Sequence, residues 1–334
     1  MDKLEFNPKT KELDFAIRAV QRAALLIRQV QEEMVSGPMT KKDLSPVTVG
    51  DLASQALVSN MLADTFPSDN LVAEEDSEDL RKPEGKESLE RVTGYVRRFL
   101  PQAEEREVCE WIDRGQSEGG DRFWVLDPID GTKGYLRGGQ YAVALALIVE
   151  GEVQVGVLGC PGLVDGFKPD VNGSGSIVVA ARGQGTWTTS LKDPGEFQQL
   201  RVSSVSRTED ARLLRSLEDS HTDPTAIQTL ADSLHIQAEP VRMDSQAKYA
   251  VLAGGGGEAM LRLLSPSKPD YREKIWDQAA GSIVIEEAGG CVTDLFGKGL
   301  DFKQGRLLLE NSGILATNNL LHNRFLEALQ KVVN

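Results

Sequence analysis

The sequence predicts a mixed α+β and α/β protein, its first part helices packed on an antiparallel sheet and its second part alternating strands and helices. Three patterns carry that prediction. Residues 11–35 place Leu13, Ile17, Val20, Ala24, Ile27, Val30 and Met34 at spacings of three and four, an amphipathic helix. Residues 123–188 hold β-rich runs separated by Gly-rich turns, and residues 225–316 alternate helical with strand patterns, the mark of an α/β layer. The chain of 334 residues is long enough for about two domains. Polar and turn residues cluster at Lys192-Asp193-Pro194-Gly195, which puts the boundary at 194 and divides the chain into 1–194 and 195–334.

In order, the first helix is expected to stop at Gly37-Pro38, and Lys41 to Gly50 reads as a short strand and turn. Asp51 then serves as N-cap of a helix from Leu52 to Phe66. A brief strand, Leu71 to Ala73, delivers Glu74-Glu75-Asp76 at its end. Ser77 to Gly120 is polar and reads as a solvated helix around Leu89 to Leu100 with surface loops. Gln140 to Glu150 and Glu152 to Cys160 form a hairpin, followed by strands at Ile177 to Ala181 and Gly185 to Thr188. In the second part, helices are expected over Thr225 to Leu234, Ser245 to Ala253, Trp276 to Ala288 and Asn319 to Val333. Strands fall at Val241 to Met243, Glu258 to Leu264, Val292 and Ile314 to Ala316. Gly254-Gly255-Gly256-Gly257-Glu258-Ala259 matches a GxGxxA string, but a dinucleotide fingerprint needs a strand before it and a helix after; here the order is reversed, so it is a turn.

Charge and cysteine use narrow the setting. A net charge of −14 argues against a nucleic-acid or anionic-membrane surface, both of which select clustered Lys and Arg. The longest apolar run, Tyr141 to Val149, is too short to span a bilayer, and the polar start Met1-Asp2-Lys3-Leu4-Glu5 is no signal peptide. Cys109, Cys160 and Cys291 are odd in number and lack metal-type spacing, so they read as thiols of a reducing cytosol. A cytoplasmic monomer is expected.

The chemistry gathers around Asp127-Pro128-Ile129-Asp130-Gly131-Thr132, after the strand-like run Phe123 to Leu126. Two carboxylates separated by a Pro, with the Ile129 carbonyl between them, are the hard oxygen donors that Mg²⁺ prefers. The Gly131 and Thr132 amides are then free to hold an anionic oxygen. Asp-Pro and Asp-Gly are equally ordinary turn dipeptides, so both readings stand on this hexamer alone. Asp277, placed in the first turn of the Trp276 helix, is either a capping carboxylate or a ligand. Glu74 at one strand end, Asp127 and Asp130 at another and Asp277 at a helix start could meet at one crevice. His221, His235 and His322 are the only histidines, and none sits in a metalloprotease or nucleophile-elbow motif.

Glu74-Glu75, Asp127 to Thr132, Trp276-Asp277-Gln278-Ala279-Ala280-Gly281 and Glu287-Ala288-Gly289-Gly290 together resemble the lithium-sensitive, magnesium-dependent inositol monophosphatase superfamily. Asp43-Leu44-Ser45-Pro46-Val47-Thr48, Asp244 to Tyr249 and Tyr271 to Asp277 resemble its 3'(2'),5'-bisphosphate nucleotidase branch. The resemblance implies a layered αβαβα sugar-phosphatase fold and a phosphatase acting on adenosine 3',5'-bisphosphate and its sulfated relative, with inositol polyphosphate 1-phosphatase and a non-catalytic metal-binding relative as alternatives. It implies two or three Mg²⁺, one held by Glu74, Asp127 and the Ile129 carbonyl, a second by Asp127, Asp130 and Asp277, and a looser third sharing Glu74. Asp43 and Thr132 resemble the pair that orients and deprotonates the attacking water. Gly131, Thr132, Ser245, Lys248, Arg262, Asp277 and His221 resemble positions that contact the nucleotide, His221 at the adenine.

Overall fold

The computed structural model describes residues 6–35, 45–217, 224–264 and 270–332. Its first long helix, α1 (Lys11–Val30), is capped by Thr10 and runs into a π-helical turn at Gln31–Val35. The second, α2 (Pro46–Thr65), starts six residues earlier than the sequence pattern suggested. Ser45 caps it by accepting the Thr48 N–H at 3.2 Å, and Pro46 occupies the first turn, where its missing N–H costs nothing. Pro46 to Gly50 is therefore helix rather than strand, and Asp51 lies inside α2 rather than capping it. The expected stop at Gly37-Pro38 lies outside the described residues.

After β1 (Asn70–Ala73) come α3 (Lys86–Arg97) and α4 (Glu105–Asp113). The polar stretch thus holds one helix more than expected, and α4 is anchored by buried Val108, Cys109 and Ile112. Then follow β2 (Arg122–Asp130), α5 (Thr132–Leu136), β3 (Ala142–Val149), β4 (Glu152–Cys160), β5 (Leu163–Val164), β6 (Lys168–Pro169), β7 (Ser176–Ala181), β8 (Gly185–Ser190) and β9 (Gln198–Leu200). The later part comprises β10 (Leu213–Arg215), α6 (Pro224–Ser233), β11 (Val241–Arg242), α7 (Ala247–Ala253), β12 (Ala259–Arg262), α8 (Ala279–Glu287), β13 (Cys291–Thr293), β14 (Ile314–Thr317) and α9 (His322–Val332). Of all these strands, β5, β6, β9 and β10 were not legible in the sequence.

A seven-stranded sheet has the order β1-β2-β3-β4-β7-β8-β9, antiparallel except for the parallel pair β1 and β2. A five-stranded sheet has the order β11-β10-β12-β14-β13. Strand alternation builds the layers. On β2, Trp124 and Leu126 face a core shared with α1 to α4, whereas Phe123 and Val125 face the opposite way, toward α7 and α8. The inner face of the second sheet, with Met260, Ile314 and Ala316, closes that middle layer; its outer face packs on α6 and α9. The result is αβαβα, and a central strand buried on both faces explains why β3 reads as unbroken apolar sequence. Among the described residues, no helix is long and apolar enough to cross a membrane.

Candidate active site

Parallel pairing of β1 with β2 matches Ala73 to Leu126, so Glu74 and Asp127, the next residues of each chain, emerge side by side. The aspartates are not on a loop beyond the strand, as the sequence suggested, but on its last residues. Asp127 opposes Ala144 and Asp130 opposes Ala142, with an irregularity between them that re-aims the second carboxylate. Gly131, at φ +92°, then turns the chain into α5, with Thr132 as its first residue. A Cβ at Gly131 would lie 2.6 Å from the Ser245 Cβ, so both backbone conformation and space demand Gly here.

The second half of the chain completes the site. The Gln246 backbone N–H donates to Asp130 Oδ2 at 2.6 Å, while the Gln246 side-chain amide donates to the Trp276 carbonyl at 3.0 Å. Asp277 lies in the turn ahead of α8, which starts only at Ala279, so it is not a first-turn residue. Arg262, on β12, extends Nη1 to Asp277 at 3.5 Å and Nη2 to buried Glu273 at 3.1 Å. Lys248 makes only long contacts, 3.4 Å each, to Ser216 Oγ and the Met243 carbonyl.

Glu74, Asp127, Ile129, Asp130, Gly131, Thr132, Ser245, Lys248, Arg262 and Asp277 all line one cavity of about 360 Å³. Asp43 and His221 lie outside the described residues.

The carboxylates crowd one another. Burial, followed by the fields of Asp277, Glu75 and Asp130, raises Glu74 to about 8. Asp130 is raised to about 6 by burial and Asp277, against the pull of Lys248 and Arg262. Burial and then Asp130 and Glu74 push Asp127 well above the carboxylate range, and burial raises Asp277. Lys248 is lowered to about 8 by burial, although Asp130 opposes the shift.

Among the described residues, Asp127 Oδ1 is buried without a hydrogen-bond partner. Among the described residues, no three Asp, Glu, His or Cys side chains form a ready-made metal cluster. The donor type, an orphaned buried oxygen and like-charge crowding nonetheless fit a hard divalent cation better than any other occupant.

One residue of the site escaped the sequence reading. Asp51 is 5% exposed, its Oδ1 has no partner, and burial with the fields of Glu75 and Glu74 raises its carboxyl well above the usual range. It follows Gly50, where a Cβ would lie 2.8 Å from Ile129 Cδ1. Its signal was a carboxylate on the apolar face of a helix, masked because the helix start was placed six residues late, with Asp51 read as the cap.

A model of the inositol monophosphatase family matches residues 9–334. A 3'(2'),5'-bisphosphate nucleotidase of Oryza sativa is 45% identical over 346 aligned positions, covering 98% of this chain and 96% of its own. One of Schizosaccharomyces pombe is 42% identical over 342 positions, covering 97% and 96%. In three dimensions, an IMPase of Thermotoga maritima superposes with a TM-score of 0.65 over 97% of this chain and 98% of its own, at 21% identity, a likeness of fold. The chain therefore belongs to the magnesium-dependent inositol monophosphatase family and, within it, to the group of 3'(2'),5'-bisphosphate nucleotidases.

Proposed function

We propose that this protein is a Mg²⁺-dependent phosphomonoesterase that removes the 3'-phosphate of adenosine 3',5'-bisphosphate and of 3'-phosphoadenylyl sulfate, giving AMP or adenylyl sulfate and phosphate. The observation that carries this reading is that carboxylates from the end of β1, from β2 and from the turn before α8 line one cavity with a half-buried lysine. Glu74, Asp127 and the Ile129 carbonyl would hold one Mg²⁺, Asp127, Asp130 and Asp277 a second, and Glu74 would share a third. Bound Mg²⁺ supplies Lewis acidity to the phosphoryl oxygens and makes water a competent nucleophile at neutral pH.

The remaining roles belong to the chain itself. The Gly131 and Thr132 amides hold the phosphoryl group and the Thr132 hydroxyl orients the water. The unpartnered Asp51 Oδ1 takes the proton, the role the sequence reading gave to Asp43. Lys248 and Ser245 receive the second phosphate, Lys248 being a half-buried cation with no carboxylate in hydrogen-bond contact among the described residues, poised for an anion. Arg262 spans Glu273 and Asp277, so it meets the nucleotide while drawing Asp277 toward the ionised form against its burial. His221 takes the adenine. The protein acts as a cytoplasmic monomer.

The test is phosphate release from adenosine 3',5'-bisphosphate and inositol 1,4-bisphosphate side by side, with Mg²⁺ and with Mg²⁺ plus Li⁺. A lithium-suppressed preference for the nucleotide is expected. Preference for the inositol compound would overturn the substrate assignment, and no release from either would overturn the enzymatic one.

A further inference from the structure

Arg306 stands outside the cavity in the segment between β13 and β14, yet it touches both sides of it. Its Nη2 donates to the carbonyl of Ala73, the residue immediately before Glu74. Its Nη1 donates to the carbonyls of Gly115 at 3.0 Å and Ser117 at 3.1 Å, and Gly115 O also accepts the Ala73 N–H at 2.8 Å. The guanidinium centre lies 4.9 Å from the centroid of the Trp276 ring, the residue immediately before Asp277. The backbone continues the connection, since the Ile275 N–H donates to Arg306 O at 3.1 Å and the Leu308 N–H to Glu273 O at 2.9 Å.

We propose that Arg306 is a positioning residue that fixes the separation of Glu74 from Asp277. This proposal rests on the Mg²⁺ reading of the site above. Glu75, on the far side of Glu74, is gripped from the first half of the chain: Gln55 and Gln116 each donate to its carbonyl at 2.6 Å. Arg306 is the matching grip from the second half, one planar fork reaching three carbonyls while stacked on an indole. A lysine ammonium cannot reproduce that geometry. The backbone on either side of each carboxylate is what sets their separation.

The experiment measures the Mg²⁺ dependence of the melting temperature without substrate and of phosphate release with it, in wild type, Arg306→Ala, Arg306→Lys and Arg182→Ala. Arg182 pairs with Glu286 at 2.7 Å away from the cavity and serves as a control for lost stability alone. Residues that orient metal ligands typically cost about 10–100-fold in metal affinity when removed. Arg306→Ala should therefore move both Mg²⁺ midpoints upward by about tenfold or more, with KM for the nucleotide at saturating Mg²⁺ changed less than about twofold. Arg306→Lys, which keeps the charge and folds more readily, should fall between it and wild type; Arg182→Ala should lower the melting temperature with unchanged midpoints. Midpoints unmoved in both Arg306 variants, with wild type responding to Mg²⁺, would overturn the positioning role alone. A wild type whose melting temperature ignores Mg²⁺ would overturn the metal reading and the proposal with it.

Discussion

The Gln246 N–H reaches Asp130 Oδ2 across 2.6 Å and 116 positions of sequence, so the turn that carries Lys248 also holds a carboxylate of the first sheet. This bond joins Lys248 and Arg262 in pulling Asp130 back toward ionisation, which leaves it near 6. For Glu74 the Lys274 field offsets burial and the acidic neighbours less, and it rests near 8.

That contrast dictates a pH dependence. Carboxylates raised in the folded state bind more protons there than in the unfolded chain, so stability falls as pH rises through the interval between the two values. For Glu74 the interval runs from 4.5 to about 8, and for Asp130 from 3.8 to about 6. With EDTA present, the melting temperature should decline from about pH 5 to pH 8. Saturating Mg²⁺ should raise it and flatten the slope, because ligation favours the ionised form. Lys248, depressed from 10.5 to about 8, contributes with the opposite sign above pH 8. A melting temperature that climbs between pH 5 and 8 in EDTA would refute the crowding.

Arg262 yields a stability prediction. Its guanidinium lies on Glu273 and Asp277, and Glu273 is 4% exposed. Arg262→Ala strands that buried carboxylate and should cost about 3–5 kcal/mol, read by denaturant unfolding. Arg262→Ala combined with Glu273→Gln should recover a large part of the loss, since the stranded charge is removed as well. A double variant as unstable as the single would show that Glu273 is not what Arg262 serves.

The fold was legible where periodicity was strong and the site where residues clustered in sequence. Asp127, Ile129, Asp130 and Thr132 lie within six positions, and the alternation on β2 showed which face each neighbour takes. Asp277 was found as a residue but misplaced as an element, because Trp276-Asp277-Gln278 has helical composition while forming the turn that Gln246 ties down. Glu273 was quoted only within the Tyr271 to Asp277 motif, with no role of its own, and Arg306 carried no signal. Their partners lie on other elements, and one Arg in a polar loop looks like any solvated one.

Lys248 separates binding from chemistry. Its long contacts mean that little in the protein compensates its burial, and a bound phosphate would. Lys248→Met should leave stability equal or higher while raising KM for adenosine 3',5'-bisphosphate by about 10–100-fold, the value of a charge-assisted hydrogen bond. Hydrolysis of a simple monophosphate should change far less. Equal losses on both substrates would place Lys248 in the chemistry instead.

Asp51 and Asp43 can be told apart directly. Asp51 is buried, its Oδ1 lacks a partner among the described residues, it feels the fields of Glu75 and Glu74, and Gly50 sets its helix against Ile129. If Asp51 accepts the proton of the attacking water, Asp51→Asn should lower kcat by about 10²–10⁴-fold, the usual range for a general base. The Mg²⁺-dependent rise in melting temperature should persist, because Asp51 is not among the ligands assigned above. Removing a crowded carboxylate should also raise the melting temperature in EDTA, as Asp51→Asn abolishes its repulsion with Glu75 and Glu74. Asp43→Asn, measured in parallel, should leave kcat within a small factor of wild type. Loss of turnover in Asp43→Asn with turnover retained in Asp51→Asn would return the role to Asp43 and reduce Asp51 to a buried structural carboxyl.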